Sequence, residues 1–589
     1  MASGRTSETA ASENEIEAIE PALIPAQAPV DYRFGVIESF DNPVEANNLG
    51  VSWTRVRFQW AEVQAGGPGT WTPKVNEGQI NGEIGSGRTV VGLLIGIPDW
   101  ARDGNNLPAG LHLPHNDPGN TWANFVREAV SRYNGRINHW IIWNEPDIGD
   151  PNAPGHTWSG SVEDFAQLQR TAYLVAKETN PNATIHLPAF THFWDPNYIY
   201  NFLDVIVADP AAESNNYYFD VITAHLYFQP DSIYNLIQQF YGAVGSRGIP
   251  WKPLWLVETN APPHDDPAWP VSNHTFLVSQ NEQAAFVPQA LASALAAGAQ
   301  RIALYKMQDV PGDEAANPEP FGLLRMDGSR RPAYNTYQVA IRYMAGMQGI
   351  KREVWGHHGQ IKIDQGDYTT TVLFSRLPAP QSVEVPATSN SGVLVDMWGG
   401  RRSVSAQNGV FKIDLPGALC QQTAGDYCMI GGEVFYLVQG EDGGSAPGAP
   451  AVGGPPPAQN EPEATIDPEA TTDPDAPTPE PEETTTPAET AVPTETSTPK
   501  PTRTPRPTKT ATLEPTATVE PTATNTLEPT DTAVPATEVA ALPATPEPTQ
   551  EVELETAVSP SNNLSFLFIG GALFLAVVIG AVWYKNEKS

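Results

Sequence analysis

The chain has 589 residues, 40% of them hydrophobic, and a formal net charge of −35 at pH 7. This length allows several domains and a sizeable core, and the acidity argues against nucleic acid as a partner because no basic surface is available. About half of the negative charge lies after residue 440, in a tract of the kind that stays solvated and disordered.

The first 29 residues are polar, acidic and rich in alanine, and they lack the apolar core of a signal peptide. We expect residues 1–29 to be a disordered segment. The C-terminal topology described below requires export. We therefore expect a true start upstream of Met1, in preference to an unconventional export route.

Residues 30–347 alternate between strand and helix patterns. Apolar runs predict strands at residues 32–38, 52–58, 89–97, 140–143, 183–190, 219–228, 253–260 and 301–307. Helical periodicity predicts helices at residues 42–50, 74–84, 121–133, 161–179, 197–207, 233–244, 282–297 and 333–344. Eight strand–helix repeats predict a (β/α)8 TIM barrel, a fold of the α/β class that places its chemistry at the carboxyl ends of the strands.

A glutamate ends two of these predicted strands. The run H-W-I-I-W stops at Asn144-Glu145-Pro146, because proline cannot continue a central ladder. The run P-L-W-L-V is followed by Glu258, three strands further on. Two carboxylates on one barrel face can hydrolyse a glycosidic bond, since one protonates the leaving oxygen and the other acts at the anomeric carbon. Glu38 and Asp99 also end predicted strands, and either could replace Glu258.

Polar residues at other strand ends could hold Glu258 in its ionised form as hydrogen-bond donors. These candidates are Arg57, His225, Tyr227 and Lys306. For Arg57 and Lys306, an ion pair within the barrel is the alternative role. His225 could instead be an ordinary core histidine.

Further candidates could contact a sugar. Asn144 could bond the hydroxyl next to the anomeric carbon, and Trp100, Trp143 and His225 could line the apolar face of the ring. The sequence contains no zinc-ligand spacing, H-E-x-x-H motif or phosphate loop, so we expect no metal and no cofactor.

Residues 348–440 change to a period of two. Short apolar runs predict strands at residues 360–364, 369–374, 382–385, 393–397, 409–413 and 432–438, which together indicate a small all-β sandwich domain. We expect a structural role, with a binding role as the alternative, because sandwich folds host many functions. Cys420 and Cys428 could form a disulfide or remain two free thiols.

The remaining residues predict a surface anchor. Residues 441–560 are dominated by proline, threonine, glutamate and alanine, which is typical of a disordered stalk. Within residues 561–589, the uncharged run 564–584 is long enough to span a bilayer. Lys585 and Lys588 follow it, so we predict a single-pass protein of the cell membrane with an extracellular barrel and a cytoplasmic C-terminus.

The motifs W-N-E-P-D at residues 143–147 and W-L-V-E-T at residues 255–259 resemble those of clan A retaining glycoside hydrolases, in particular β-xylosidases of family 39 and cellulases of family 5. The H-L-Y element at residues 225–227 and the segment 321–334 are also similar. The resemblance implies that Glu145 is the acid/base, that Glu258 is the nucleophile and that Tyr227 bonds the nucleophile. Many members carry a Trp at the end of strand eight, where this chain has Tyr305-Lys306-Met307.

The leading hypothesis is therefore a retaining glycoside hydrolase that acts on an extracellular β-linked oligosaccharide or polysaccharide. The alternative is a catalytically inactive barrel that binds surface carbohydrate as an adhesin or scaffold. The sequence makes no prediction of oligomeric state.

Overall fold

The computed structural model describes residues 30–440 apart from Pro154 and Pro318. The predicted segments 1–29, 441–560 and 561–589 lie outside these residues, and so does the predicted span 564–584. Of the helices that the structure describes, none combines the length and apolar character needed to cross a membrane.

The described part of residues 30–347 contains eight strands, each followed by a helix. The strands are β1 (Phe34–Val36), β2 (Trp53–Gln59), β3 (Thr89–Ile95), β4 (His139–Ile142), β5 (Thr184–His186), β6 (Ile222–His225), β7 (Leu254–Thr259) and β8 (Ala299–Leu304). The longer helices are α1 (Pro43–Leu49), α2 (Glu77–Gly85), α3 (Thr121–Arg132), α4 (Val162–Thr179), α5 (Tyr198–Ala208), α6 (Pro230–Gly245), α7 (Gln280–Ala296) and α8 (Pro332–Met344).

Parallel ladders join the strands in the order β5-β4-β3-β2-β1-β8-β7-β6. Isolated parallel bridges between His186 and Val221 and between Phe190 and Ala224 link the two outermost strands, so the sheet nearly closes. The predicted TIM-like barrel is confirmed. β3 reads T-V-V-G-L-L-I and buries all but its first residue, because a strand of such a barrel is covered inside and outside.

One layer inside the barrel, near the amino ends of the strands, is built from aromatic and polar side chains. The Trp255 ring centroid lies 5.4 Å from that of Trp53, and the Arg301 guanidinium stacks on Trp255 at 4.3 Å. His139 Nδ1 lies 3.1 Å from His186 Nε2. Burial, reinforced by the charge of Arg301, lowers the pKa of His139 to about 3, and burial lowers the pKa of His186 well below its usual value. Both imidazoles are therefore neutral in the folded barrel at neutral pH.

This layer predicts that the free energy of unfolding falls as the pH is lowered from about 6.5 towards about 3. In that window the unfolded chain binds protons at His139 and His186, whereas the folded chain excludes them. Each histidine therefore costs up to about 1.4 kcal/mol per pH unit. The measurement is urea unfolding at about pH 7 and about pH 4.5, with the double variant His139→Gln/His186→Gln expected to lose less stability on acidification than the wild type.

Trp255→Phe is the control, because it thins the same layer without removing a titratable group. We expect it to lower stability by similar amounts at the two pH values. An equal pH dependence in the wild type and the double histidine variant would contradict this account of the layer.

Residues 349–440 form antiparallel sheets, as predicted, and are called the β domain below. Its strands are β9 (Gly349–Trp355), β10 (His358–Asp364), β11 (Tyr368–Ser375), β12 (Gln381–Pro386), β13 (Ser391–Asp396), β14 (Arg401–Ser405), β15 (Val410–Leu415), β16 (Thr423–Ala424), β17 (Tyr427–Cys428) and β18 (Phe435–Gly440). Six of these described strands form a sheet in the order β14-β13-β18-β11-β10-β9, while β12 pairs with β15 and β16 with β17.

A separate apolar core lies between the large sheet and the β12–β15 pair; it includes Leu373, Val385, Leu394, Phe411 and Leu437. Other side chains of the large sheet, including Ile361, Val372 and Tyr436, belong to the main core with the barrel. Cys420 and Cys428 form a disulfide, which decides between the two predicted alternatives.

Candidate active site

The backbone of the fourth strand tip is held in an unusual conformation. Asn144 forms a parallel bridge with Ala189, and the Glu145 amide donates to the Ala189 carbonyl at 3.1 Å. Trp143 and Glu145 have left-handed backbone conformations, with φ of 74° and 47°. Such conformations cost about 1–2 kcal/mol outside glycine and cluster at functional sites. At this strand end, the Trp143 side chain packs into the core, whereas the Glu145 side chain contacts His225 of β6.

Glu258 lies in β7 opposite His225 of β6, and its side chain is 8% exposed. The Arg55 guanidinium, from β2, forms an ion pair with Glu258 Oε1. The Tyr227 hydroxyl donates to Glu258 Oε2 at 2.5 Å. Donors from two other strand segments therefore converge on one carboxylate.

His225 lies between the two glutamates. Its Nδ1 is 2.7 Å from Glu145 Oε1 and 3.5 Å from Glu258 Oε2. Its Nε2 is 3.4 Å from Arg55 Nη1. Because arginine offers donors alone, Nε2 accepts and the Nδ1–H donates to Glu145. The imidazole thereby connects Glu145 with the Arg55–Glu258 ion pair.

The charges at the site keep Glu258 ionised. Burial opposes ionisation, but the charge of Arg55 and the hydrogen bonds from Tyr227 and Arg55 outweigh it and hold the pKa of Glu258 below its usual value. Burial also opposes the charge of Arg55, yet the charge of Glu258 raises the pKa of Arg55. Burial, followed by the charges of Glu258 and Glu145, raises the pKa of Tyr227 well above its usual value. At neutral pH, Tyr227 is therefore a protonated donor to a carboxylate.

Glu145 has different surroundings. Its side chain is 17% exposed, about twice the exposure of Glu258. Among residues 30–440, no arginine or lysine forms an ion pair with Glu145, whose Oε1 accepts a hydrogen bond from His225 Nδ1. The two carboxylates therefore differ in charge compensation, which is what distinct acid and nucleophile roles require.

Arg55, rather than Arg57, is the arginine that contacts Glu258. Arg57 is exposed, and its Nε and Nη2 donate to the Gln59 side chain at 3.2 and 2.9 Å. Residues two apart on a strand face the same way, so both arginines point inward from β2, and Arg55 lies one pleat deeper. The prediction that Arg57 supports Glu258 is wrong for this reason.

The difference between the two arginines predicts unequal effects on stability. Arg55→Met would leave Glu258 as a buried, unpaired charge, so we expect a loss of about 3–5 kcal/mol in the free energy of unfolding. Arg57→Met, on the same strand and the same face, should change it by less than about 0.5 kcal/mol. Urea unfolding of the full-length variants measures both. Similar losses in the two variants would contradict the assigned ion pair.

The aromatic candidates divide in two. Trp143 is completely buried, and its Nε1 donates to Thr157 Oγ1 at 3.1 Å, so the structure places it in the core rather than against a sugar. Trp100 is 38% exposed in the short helical segment after β3 and stays a candidate for stacking on a sugar ring.

Asn144 is partly exposed beside Glu145. His225 is buried and bridges the carboxylates instead of lining a sugar face.

Lys306 forms ion pairs with two carboxylates. Its Nζ lies 2.8 Å from Glu38 Oε2 and 3.0 Å from Asp313 Oδ2, and its side chain is 4% exposed. Burial opposes its charge, but the charge of Glu38 raises the pKa of Lys306 above its usual value. The predicted substrate contact by Lys306 is therefore replaced by its alternative, an ion pair. Glu38, one of the two residues that could replace Glu258, is therefore engaged in an ion pair with Lys306. The other, Asp99, is fully exposed.

Asp147 is a further buried group at this site that the sequence did not single out. Its Oδ2 accepts bonds from the Thr191 amide at 2.9 Å, the Thr191 hydroxyl at 2.8 Å and the His192 amide at 2.8 Å. Burial raises the pKa of Asp147 to about 7, with the charge of Glu145 adding to the shift and the bonds from Thr191 opposing it. The N-E-P-D motif thus carries a carboxyl group that ties the fourth strand tip to the loop after β5.

Glu145, His225 and Glu258 each offer one ligand atom within 4.8 Å of the others, an arrangement that could hold a metal ion. Arg55, however, already neutralises Glu258, and a fixed positive charge beside a cation is unfavourable. The residues therefore fit a carboxylate pair better than a metal centre.

No family model and no curated protein matches the chain. Several solved structures do match the chain. A family 39 glycoside hydrolase from the gut symbiont Bacteroides cellulosilyticus WH2 is 16% identical with a TM-score of 0.51, over 70% of this chain and 81% of that chain. A GH30 endoxylanase from Clostridium papyrosolvens C71 is 14% identical with a TM-score of 0.45, over 71% of this chain and 98% of that chain. A GH39 β-xylosidase from Caulobacter crescentus is 15% identical with a TM-score of 0.43, over 70% of this chain and 98% of that chain.

At this identity, the similarity to the Bacteroides protein establishes the fold. The chain shares its barrel architecture with that family 39 glycoside hydrolase.

Proposed function

We propose that this protein is a retaining glycoside hydrolase that cleaves O-glycosidic bonds in a β-linked oligosaccharide or polysaccharide by double displacement. The observation that carries the proposal is the spacing of the carboxylates, since one oxygen of Glu145 and one of Glu258 lie within 4.8 Å of each other. Retaining enzymes place their carboxyl groups about 5–5.5 Å apart, whereas inverting enzymes need about 6.5–9.5 Å to admit a water.

The surroundings of the carboxylates support their roles. Glu258 is ionised and faces Arg55, so it is the nucleophile. Glu145 is more exposed and has no arginine partner among residues 30–440, so it is the acid/base. The similarity in fold to a family 39 glycoside hydrolase agrees with this reading.

The reaction follows in two steps. A Glu258 oxygen attacks the anomeric carbon and forms a glycosyl ester, while the glycosidic C–O bond breaks and Glu145 gives its proton to the leaving oxygen. Water then attacks the same carbon, Glu145 takes a proton from it, and the ester bond to Glu258 breaks. As the negative charge of Glu258 is lost and regained, Arg55 and Tyr227 remain in place as its partners.

We further propose that the barrel acts at the cell surface. The disulfide between Cys420 and Cys428 supports an oxidising compartment, because such bonds are rare in the cytosol. The apolar run 564–584 would supply the anchor.

Product stereochemistry tests the proposed function. The full-length protein would be incubated with a panel of aryl β-glycosides and plant and microbial polysaccharides, and proton NMR would follow the first-formed anomer. We expect the β anomer. First release of the α anomer would overturn the retaining mechanism. No cleavage across the panel, by a folded protein that binds glycans, would favour the adhesin.

A further inference from the structure

The β domain contacts the barrel beside the turn that carries Tyr227. β6 ends at His225, and α6 begins at Pro230. Phe228 has a left-handed backbone with φ of 64°, and the Gln229 amide donates to the Tyr227 carbonyl at 2.8 Å. This tight turn couples the position of Tyr227 to that of the first turn of α6.

Asp231, the second residue of α6, is held by the β domain. Its Oδ1 accepts a hydrogen bond from Trp355 Nε1 of β9 at 2.8 Å, and its Oδ2 accepts from Arg376 Nη2 at 3.2 Å. The Arg376 guanidinium stacks over the Trp355 ring at 4.6 Å. One turn along α6, the Arg352 guanidinium covers the Tyr234 ring at 3.3 Å.

On its other side, the turn is bonded to the strand that carries the nucleophile. The Leu226 amide donates to the Glu258 carbonyl at 3.1 Å, and the Phe228 amide donates to the Asn260 carbonyl at 2.9 Å. The Tyr227 hydroxyl then bonds the Glu258 carboxylate itself. A shift of the first turn of α6 would therefore move a direct partner of the reacting oxygen.

We propose that the β domain positions the catalytic tyrosine, with Trp355 and Arg376 acting through Asp231 to hold the Tyr227 turn against Glu258. This inference rests on the proposed function and gives the β domain a part in the chemistry. A displacement of about 1 Å at such a site can cost about 100-fold in rate. The Asp231 side chain is 46% exposed, so its ion pair should contribute little to global stability.

A double-mutant cycle separates positioning from packing. Trp355→Phe keeps the ring but removes the Nε1–H donor to Asp231. We expect it to lower kcat about tenfold with KM within about twofold, and Tyr227→Phe to lower kcat about 100-fold. If Trp355 acts through Tyr227, Trp355→Phe should cost nothing further in the Tyr227→Phe background. Independent, multiplicative losses would overturn the proposal.

Gln289 of α7 provides the matched control. Its side chain makes two other bonds to the β domain, to the Gly432 carbonyl and from the Gly431 amide, each at 3.0 Å. Gln289→Met should lower the melting temperature and leave kcat unchanged. An equal loss of kcat in this variant would show that any loosening of the β domain suffices, and would also overturn the proposal.

Amide hydrogen exchange supplies a readout that needs no substrate. Peptides covering residues 224–232 should exchange faster in Trp355→Phe than in the wild type, and at the wild-type rate in Gln289→Met. If the wild type hydrolyses no glycoside, the proposed function fails, and this measurement still decides the present inference. Unchanged exchange in Trp355→Phe would refute it.

Discussion

Glu258→Gln is expected to lower kcat by about 10⁴-fold or more. An amide oxygen cannot form the glycosyl ester, so the first displacement is lost rather than slowed. The measurement is kcat on an activated aryl β-glycoside, together with glycan binding by the same protein. Retained binding without turnover is the expected pair of results.

Loss of the Glu258 charge also leaves Arg55 buried without its partner, so this variant needs a folding control. Glu258→Asp keeps the negative charge but draws the carboxylate back by about one C–C bond, which places it out of reach of the anomeric carbon. We expect Glu258→Asp to be more stable than Glu258→Gln and still to lose most of its turnover. If folded Glu258→Gln kept more than about a tenth of the wild-type kcat, Glu258 would not be the nucleophile.

Glu145→Ala is expected to have an effect that depends on the leaving group. A dinitrophenyl glycoside needs no proton to depart, so its first step should persist, whereas cleavage of a natural glycosidic bond should fall by about 10²–10⁴-fold. With the activated substrate, the glycosyl ester should accumulate because no base activates water. Added azide should restore turnover and yield a glycosyl azide of retained configuration.

Asp99→Asn is the matched control for Glu145→Ala, since Asp99 also follows an apolar strand but is fully exposed. It should show no dependence on the leaving group and no response to azide. Azide rescue in Asp99→Asn, or its absence in Glu145→Ala, would move the acid/base role away from Glu145.

Much of the barrel could be predicted because its elements have strong local patterns. α4 begins directly after Ser161, the first residue of the predicted helix 161–179, and the Ser161 and Asp164 side chains form a reciprocal capping box. The β domain was harder to predict. β9 reads G-I-K-R-E-V-W and alternates exposed with half-buried residues, so it contains no apolar run to mark it.

The site could be predicted only where local sequence decides the geometry. Glu145 and Glu258 follow apolar runs, which places them at strand tips without further information. The choice between Arg55 and Arg57 depends on how far β2 is staggered against β7, and that offset is set by barrel closure. Trp143 lies two residues before Glu145, yet its left-handed backbone and its contact with Thr157 accompany a core position.

The last described strand has a mechanical consequence for a tethered protein. β18 lies between β13 and β11 and pairs antiparallel with each of them, and the chain leaves it at Gly440. Tension applied beyond that residue would run along β18 and load both ladders in shear, so their hydrogen bonds would have to fail together. A peripheral strand would instead expose one ladder, which can peel apart bond by bond. Under the proposed attachment to the cell surface, force on the chain would therefore meet two ladders instead of one.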